Sequence, residues 1–121
     1  MRGMRKMRAV YLIITLIAAL FLSACTPHQS VAFWFGDNAT VHREAVAVVG
    51  CETGGTWNPG AVSRTGDHGL FQINRYYHER AFTQVTGQPW SKVYDPFWNA
   101  RYARWLYDQK SWQPWVCRSV L

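Results

Sequence analysis

One carboxylate in the 121-residue chain stands where it could hold on to its proton. Glu52 follows Val41, Ala45 and Val48 at helical spacing, so it continues an apolar stripe and not a wet face. A carboxyl at the mouth of such a stripe, with Trp57 five residues on, loses part of its hydration. Desolvation disfavours the charged form, raises the pKa and leaves a group able to donate a proton near neutrality. A poor leaving group such as a glycosidic oxygen needs that donation before its bond to carbon can break. The same spacing also fits an ordinary, solvated glutamate in the last turn of a helix.

The elements that must position Glu52 can be read around it. Residues 31–35, VAFWF, are apolar enough to pack on the domain, and Gly36-Asp37-Asn38 then breaks the chain. A helix is expected from about residue 40, with Thr40 as its N-cap and Gly54-Gly55 as its stop. Asn58-Pro59-Gly60, Gly66-Asp67 and Gly69 are turn residues with room for a short hairpin. A second helix is expected over 75–85, closed by Thr86-Gly87-Gln88-Pro89. Asp95-Pro96 opens a third, an N-cap followed by proline at the first helical position, running to about Lys110 through Phe97, Ala100, Ala103 and Leu106. Trp112–Trp115 is a loop at the end of the domain. Arg101 and Arg104 read as a solvated face, His68 as a turn histidine, and most of the seven tryptophans as core. The sum is a mainly α (α+β) domain with a minor β-hairpin.

Charge first suggests an anionic partner, with 13 Lys+Arg against 7 Asp+Glu and a net +6. Position removes the suggestion. Arg2, Arg5, Lys6 and Arg8 crowd the first eight residues, and without them nine basic residues face seven acidic ones. A balance near +2 lacks the electrostatic footprint of nucleic-acid binding. The basic start and the apolar run over 9–22, broken only by Thr15, match a signal peptide in length and are short for a spanning helix. The run ends in Leu22-Ser23-Ala24-Cys25, which resembles the bacterial lipobox, where the peptidase cuts before an acylated cysteine. The alternative is an uncleaved anchor helix with Cys25 incidental. The organisation expected is a signal peptide over 1–24, lipid attachment at Cys25 with a short tether over 25–38, and a catalytic domain over 39–121. Such a protein would be exported to the cell envelope and held on a membrane by its acyl chains. With Cys25 acylated, Cys51 and Cys117 remain as an even pair in an oxidising compartment and are expected to bridge; two free thiols are the alternative. No CxxC is present, and His78-Glu79 lacks a second histidine four positions on, so no metal is expected.

The segments around Glu52 resemble the lysozyme superfamily in combination. Glu52, Trp57-Asn58-Pro59, Ala61 or Val62, Ser63, Gly66, Gly69-Leu70 and Gln72 fall on the soluble lytic transglycosylase pattern, with one or two extra residues after Glu52. Asp95-Pro96, Asn99, Ala103 and Leu106 resemble the family's D-P-x-x-N helix. The likeness covers roughly residues 40–117. It implies a small lysozyme-like fold, no cofactor, Glu52 as the catalytic acid, and action on the β-1,4 bond between N-acetylmuramic acid and N-acetylglucosamine of peptidoglycan.

One departure matters. The transglycosylase pattern has alanine two residues before the glycine of its G-L-M-Q segment, and this chain has Asp67. C-type lysozymes carry a second carboxylate at that offset, before a segment that Gly69–Asn74 also resembles. The resemblance thus implies a muramidase with Asp67 as second carboxylate, although aspartate is also common in turns. The same likeness puts Ser63, Gln72, Asn74 and Asn99 along the glycan, with tying the hairpin together as the other role for the first three. The alternatives are a lytic transglycosylase giving 1,6-anhydro products and a non-catalytic glycan-binding or lysis-blocking lipoprotein. Peptidoglycan strands and a membrane are the partners expected, and a monomer the state.

Overall fold

The computed structural model describes residues 2–23 and 25–121. Met1 and Ala24 lie outside it, so the junction before Cys25 is not described. Helix α1, Arg2–Ser23, takes in both the basic start and the apolar run. Among the described residues no helix is long and apolar enough to cross a membrane.

The tether expected over 25–38 is replaced by a helix over most of its length. Helix α2 spans Pro27–Phe35. Thr26 opens it with a reciprocal cap: its hydroxyl accepts from the Gln29 amide at 3.1 Å, and the Gln29 side chain accepts from the Thr26 amide at 3.0 Å. Pro27 takes the first turn, where its missing N–H costs nothing. Val31 and Phe35, four apart, are fully buried. The polar residues of 26–30 are therefore helix-starting residues, not linker.

Helix α3, Ala39–Glu52, starts from Asn38 and not from Thr40. Asn38 is extended, and its side-chain oxygen accepts from the amides of Thr40 and Val41 at 3.0 and 3.1 Å. Ala45, Val48 and Val49 are buried along one face. Strands β1 (Asp67–His68) and β2 (Ile73–Asn74) pair antiparallel, with Asp67 opposite Asn74. Helix α4, Arg75–Thr86, is capped by the Asn74 side chain and closed by Gly87 in the left-handed region. After a 3-10 turn at Trp90–Tyr94, helix α5 runs from Pro96 to Lys110 behind the Asp95 cap. A second 3-10 turn at Val116–Val120 leads to the last residue. The architecture is mainly helical with one small hairpin.

The core is aromatic. Phe35 stacks between Phe71 and Trp112, at centroid distances of 5.4 and 5.7 Å, and Trp115 donates its indole N–H to the Phe71 carbonyl at 2.9 Å. Trp112 donates to the Glu44 carboxylate at 2.7 Å. These two tryptophans thus enter the core and do not merely cover its end. The reading of Arg101 and Arg104 as a solvated face is also corrected. Arg104 grips Asp37 through two nitrogens, at 2.6 and 3.0 Å, and donates to the Trp34 carbonyl at 2.7 Å. The Arg101 guanidinium lies 4.9 Å from the Trp34 ring centroid and donates to the Val85 carbonyl. Both arginines fasten α2 and its following turn onto α5.

Candidate active site

Glu52 is the last residue of α3, and the turn beyond it is held from inside. Thr53 is buried; its hydroxyl donates to the Val49 carbonyl at 2.8 Å and accepts from the Trp57 amide at 3.0 Å. Trp57, the aromatic expected beside the acid, stacks flat on His28 of α2 at 3.7 Å between centroids. The group that meets Glu52 is the backbone amide of Cys117, 3.4 Å from Oε1. That approach is set by the Cys51–Cys117 disulfide, whose Cα atoms are 5.8 Å apart. Half-burial raises the Glu52 pKa, the Cys117 amide pulls the other way, and the negative charge of Asp67 raises it further. The net displacement is upward, toward a carboxyl that keeps its proton.

Asp67 is displaced in the opposite sense. Burial alone would raise its pKa, but hydrogen bonds to the ionised form outweigh it. Ser63 and Thr65 each donate a hydroxyl to Oδ2 at 2.6 Å, and the Asn74 amide donates to Oδ1 at 3.0 Å. The nearby His68 adds a smaller effect of the same sign. The Asp67 amide in turn donates to the Ser63 hydroxyl at 3.1 Å. Asp67 is thus a fixed anion in a hairpin built around it.

The glycan-lining candidates divide. Ser63 and Asn74 are brought to Asp67, and Asn74 also caps α4. Gln72 donates to the carbonyls of Ala61 and Gly69, at 3.1 and 2.9 Å, and so closes the hairpin on itself. Asn99 is corrected outright: it is 0% exposed and faces no cleft. Its oxygen accepts from the Phe71 amide at 2.9 Å, and its nitrogen donates to the carbonyls of Val93 and His68 at 2.8 and 3.2 Å. A buried amide with that many backbone partners is a clamp that ties the hairpin loop to α5. Gly69 shows how close the clamp is. Its φ is +76°, and an added Cβ would strike the Asn99 amide and lie 2.6 Å from the Val93 carbonyl.

Several residues at the site had no separate reading in the sequence. Thr65 completes the Asp67 cage, and alternation with Ser63 and Asp67 was the available signal. Tyr94 meets the His68 ring nitrogen at 2.7 Å, a contact across 26 residues that spacing does not reveal. Tyr76 and Tyr77, directly after the hairpin, are 89% and 76% exposed. Tyr76 borders a groove of about 460 Å³ that begins at Thr65 and Asn74, beside Asp67. A second hollow shares Arg75, Tyr76 and Glu79 with it and continues along α4 to Gln84. An exposed aromatic ring on an open groove suits the apolar face of a sugar. Among the described residues no group of three or more His, Cys, Asp or Glu could hold a metal.

A family model described as a lysozyme-like domain matches residues 29–117. The chain belongs to the lysozyme-like domain family. The match begins inside α2, so that helix is part of the lysozyme-like domain, and it ends on Cys117, the residue that touches the acid. Members of this family act on peptidoglycan, as glycosidases or transglycosylases. No curated protein and no solved structure matches the chain.

Proposed function

We propose that the chain is a peptidoglycan muramidase in which Glu52 is the catalytic acid and Asp67 the stabilising anion. The observation that carries this reading is the opposed displacement of two carboxylates: Glu52 upward, by burial and the Asp67 charge, and Asp67 downward, by the hydrogen bonds that hold its anion. Carboxyls pushed apart in this way divide into a proton donor and a permanent anion. Glu52 donates its proton to the oxygen leaving C1 of muramic acid, and the C1–O bond breaks. The ionised Asp67 favours the positive charge that develops on the sugar ring. Water then adds to C1 and returns its proton to the Glu52 carboxylate.

The cage around Asp67 favours a second reading. Both carboxylate oxygens are engaged by side chains of the same hairpin, as in a residue kept for structure. In that case the muramic 6-hydroxyl takes the place of water at C1, and the product is a 1,6-anhydro sugar. Digestion of purified peptidoglycan, with the fragments weighed by mass spectrometry, separates the two. Hydrolysis leaves reducing muramic acid, and transglycosylation leaves ends lighter by one water.

The reading extends to the cell envelope, with Cys25 as the site of acylation. Its support is the basic start, the apolar run and the Leu22-Ser23-Ala24-Cys25 segment. Cys25→Ser should abolish labelling by a radioactive fatty acid and leave the precursor uncut. Equal labelling of both proteins would reject the anchor.

A further inference from the structure

A third hollow lies between α4 and the loop that follows α5. Its volume is about 320 Å³, and His78, Leu106, Lys110, Gln113 and Pro114 form its walls. Two of its walls are tied to the site through chain neighbours. His78 lies one turn along α4 from Asn74, the residue that holds Asp67, and it feels the Asp67 charge. Gln113 and Pro114 lead within four residues to Cys117, whose amide meets Glu52.

The lining has a definite chemistry. Lys110 supplies a cation, Gln113 an amide, and Leu106 and Pro114 an apolar side; no carboxylate borders the space. The imidazole is fixed, because its Nδ1 lies 2.8 Å from the hydroxyl of the fully buried Tyr102. Burial pushes the Tyr102 phenol up to about 12, so that hydroxyl keeps its proton. With Tyr102 donating to Nδ1, the ring proton sits on Nε2 as a further donor. Arg118 braces the loop from outside by donating to the Gln113 carbonyl at 2.7 Å. Donors and a cation around an apolar patch, in a space too small for a run of sugars, suit a short peptide that carries carboxylates.

We propose that this pocket binds the acidic stem peptide carried by the muramic residue under attack, with Lys110 and His78 on a peptide carboxylate. The proposal rests on the peptidoglycan reading above and names the part of the substrate that this wall selects. It makes the enzyme one that prefers peptide-bearing strands to bare glycan.

Two measurements test it. In the first, the full chain with Glu52→Gln is titrated with a synthetic tetrapeptide of L-alanine, D-glutamate, meso-diaminopimelate and D-alanine, and the histidine ring signals are followed by NMR. Saturable shifts at His78, absent in Lys110→Glu, support the pocket. No shift at millimolar peptide, or equal shifts in Lys110→Glu, overturns it. In the second, kcat/KM is compared on strands with and without their peptides. Wild type should favour peptide-bearing strands by about tenfold, the size of one charge-assisted hydrogen bond, mainly through KM. Lys110→Glu should bring the ratio near one, and Lys110→Arg should restore it. Equal rates of wild type on both substrates overturn the pocket and leave the muramidase reading standing. No cleavage of either substrate removes the muramidase reading, while the peptide titration still decides the pocket.

Discussion

The backbone amide of Cys117 sits 3.4 Å from the Glu52 carboxylate, so the disulfide partner of Cys51 is also the hydrogen-bond partner of the next residue along. The covalent link and the acid are coupled through one short stretch of backbone. Closing a loop across 66 residues stabilises the fold by about 4 kcal/mol in the chain-entropy model. Reduction should therefore lower the urea midpoint. Activity should fall at lower urea than global unfolding does, because the Cys117 amide leaves the acid first. Activity and tryptophan fluorescence that are lost together in the reduced protein would contradict this order.

Glu52→Gln keeps the shape of the side chain and removes its titrating proton. Cleavage should drop on the order of a hundredfold or more. Stability should move in a defined direction. The folded pKa is raised, so the folded state favours the protonated carboxyl, and stability is lost as pH rises through that value. The glutamine variant, which mimics the protonated form, should match wild type in acid and melt at a higher temperature at neutral pH. Calorimetry at pH 4 and pH 7.5 checks the pair.

Asp67 predicts the shape of the pH profile. The reaction needs Asp67 ionised and Glu52 protonated, so activity should fall below the depressed Asp67 pKa and above the raised Glu52 pKa. Asp67→Asn removes a charge that holds the Glu52 pKa up. Its residual activity should therefore lose the alkaline limb at lower pH than wild type. In a hydrolase the rate should also fall at least a hundredfold, about 3 kcal/mol of barrier. An Asp67→Asn enzyme with wild-type rate and anhydro products would assign the transglycosylase instead.

Asn99→Ala separates a clamp from a substrate contact. It leaves the Phe71 amide and the Val93 and His68 carbonyls without their partner. Stability should fall by ~3 kcal/mol in urea titration, with KM for glycan unchanged in the fraction that stays folded. A rise in KM at full stability would return Asn99 to the cleft.

Tyr76→Ala removes an exposed ring that nothing in the core requires. The melting temperature should hold, while KM for glycan strands rises severalfold, in line with ~1 kcal/mol for a lost aromatic contact. An unchanged KM would take Tyr76 off the binding surface.

Local signals were legible, and distant ones were not. Asp95-Pro96 announces α5 because cap and first turn are adjacent in the chain, and the stripe from Val41 to Glu52 shows because helical spacing is local. Thr26, Pro27 and Gln29 also announce a helix, but five mostly polar residues lack an apolar rhythm and read as tether. From its neighbours Arg104 shows only an i,i+4 pair with Asp108, because its main partner, Asp37, lies 67 residues away. Asn99 matched a family position, yet whether that position faces sugar or backbone depends on where the hairpin loop packs. The Asp67 cage falls between these cases. Ser63 and Thr65 lie within four residues of it, while Asn74 comes opposite only once the strands pair.

The short approach to helix α2 has a consequence for where such a protein can work. Only Thr26 separates Cys25 from Pro27, and from there the chain is helical, anchored by Val31 and Phe35 and stacked through His28 on Trp57. At about 3.5 Å per extended residue, a lipid on Cys25 would have roughly 7 Å of slack before rigid protein begins. Its range above the bilayer would then be set by the width of the folded domain alone. Glycan beyond that distance would stay untouched, however well the cleft fits it. Twenty glycine and serine residues placed after Cys25 would add roughly 25 Å of root-mean-square span. That change should widen the zone of cleavage without altering a single residue of the site.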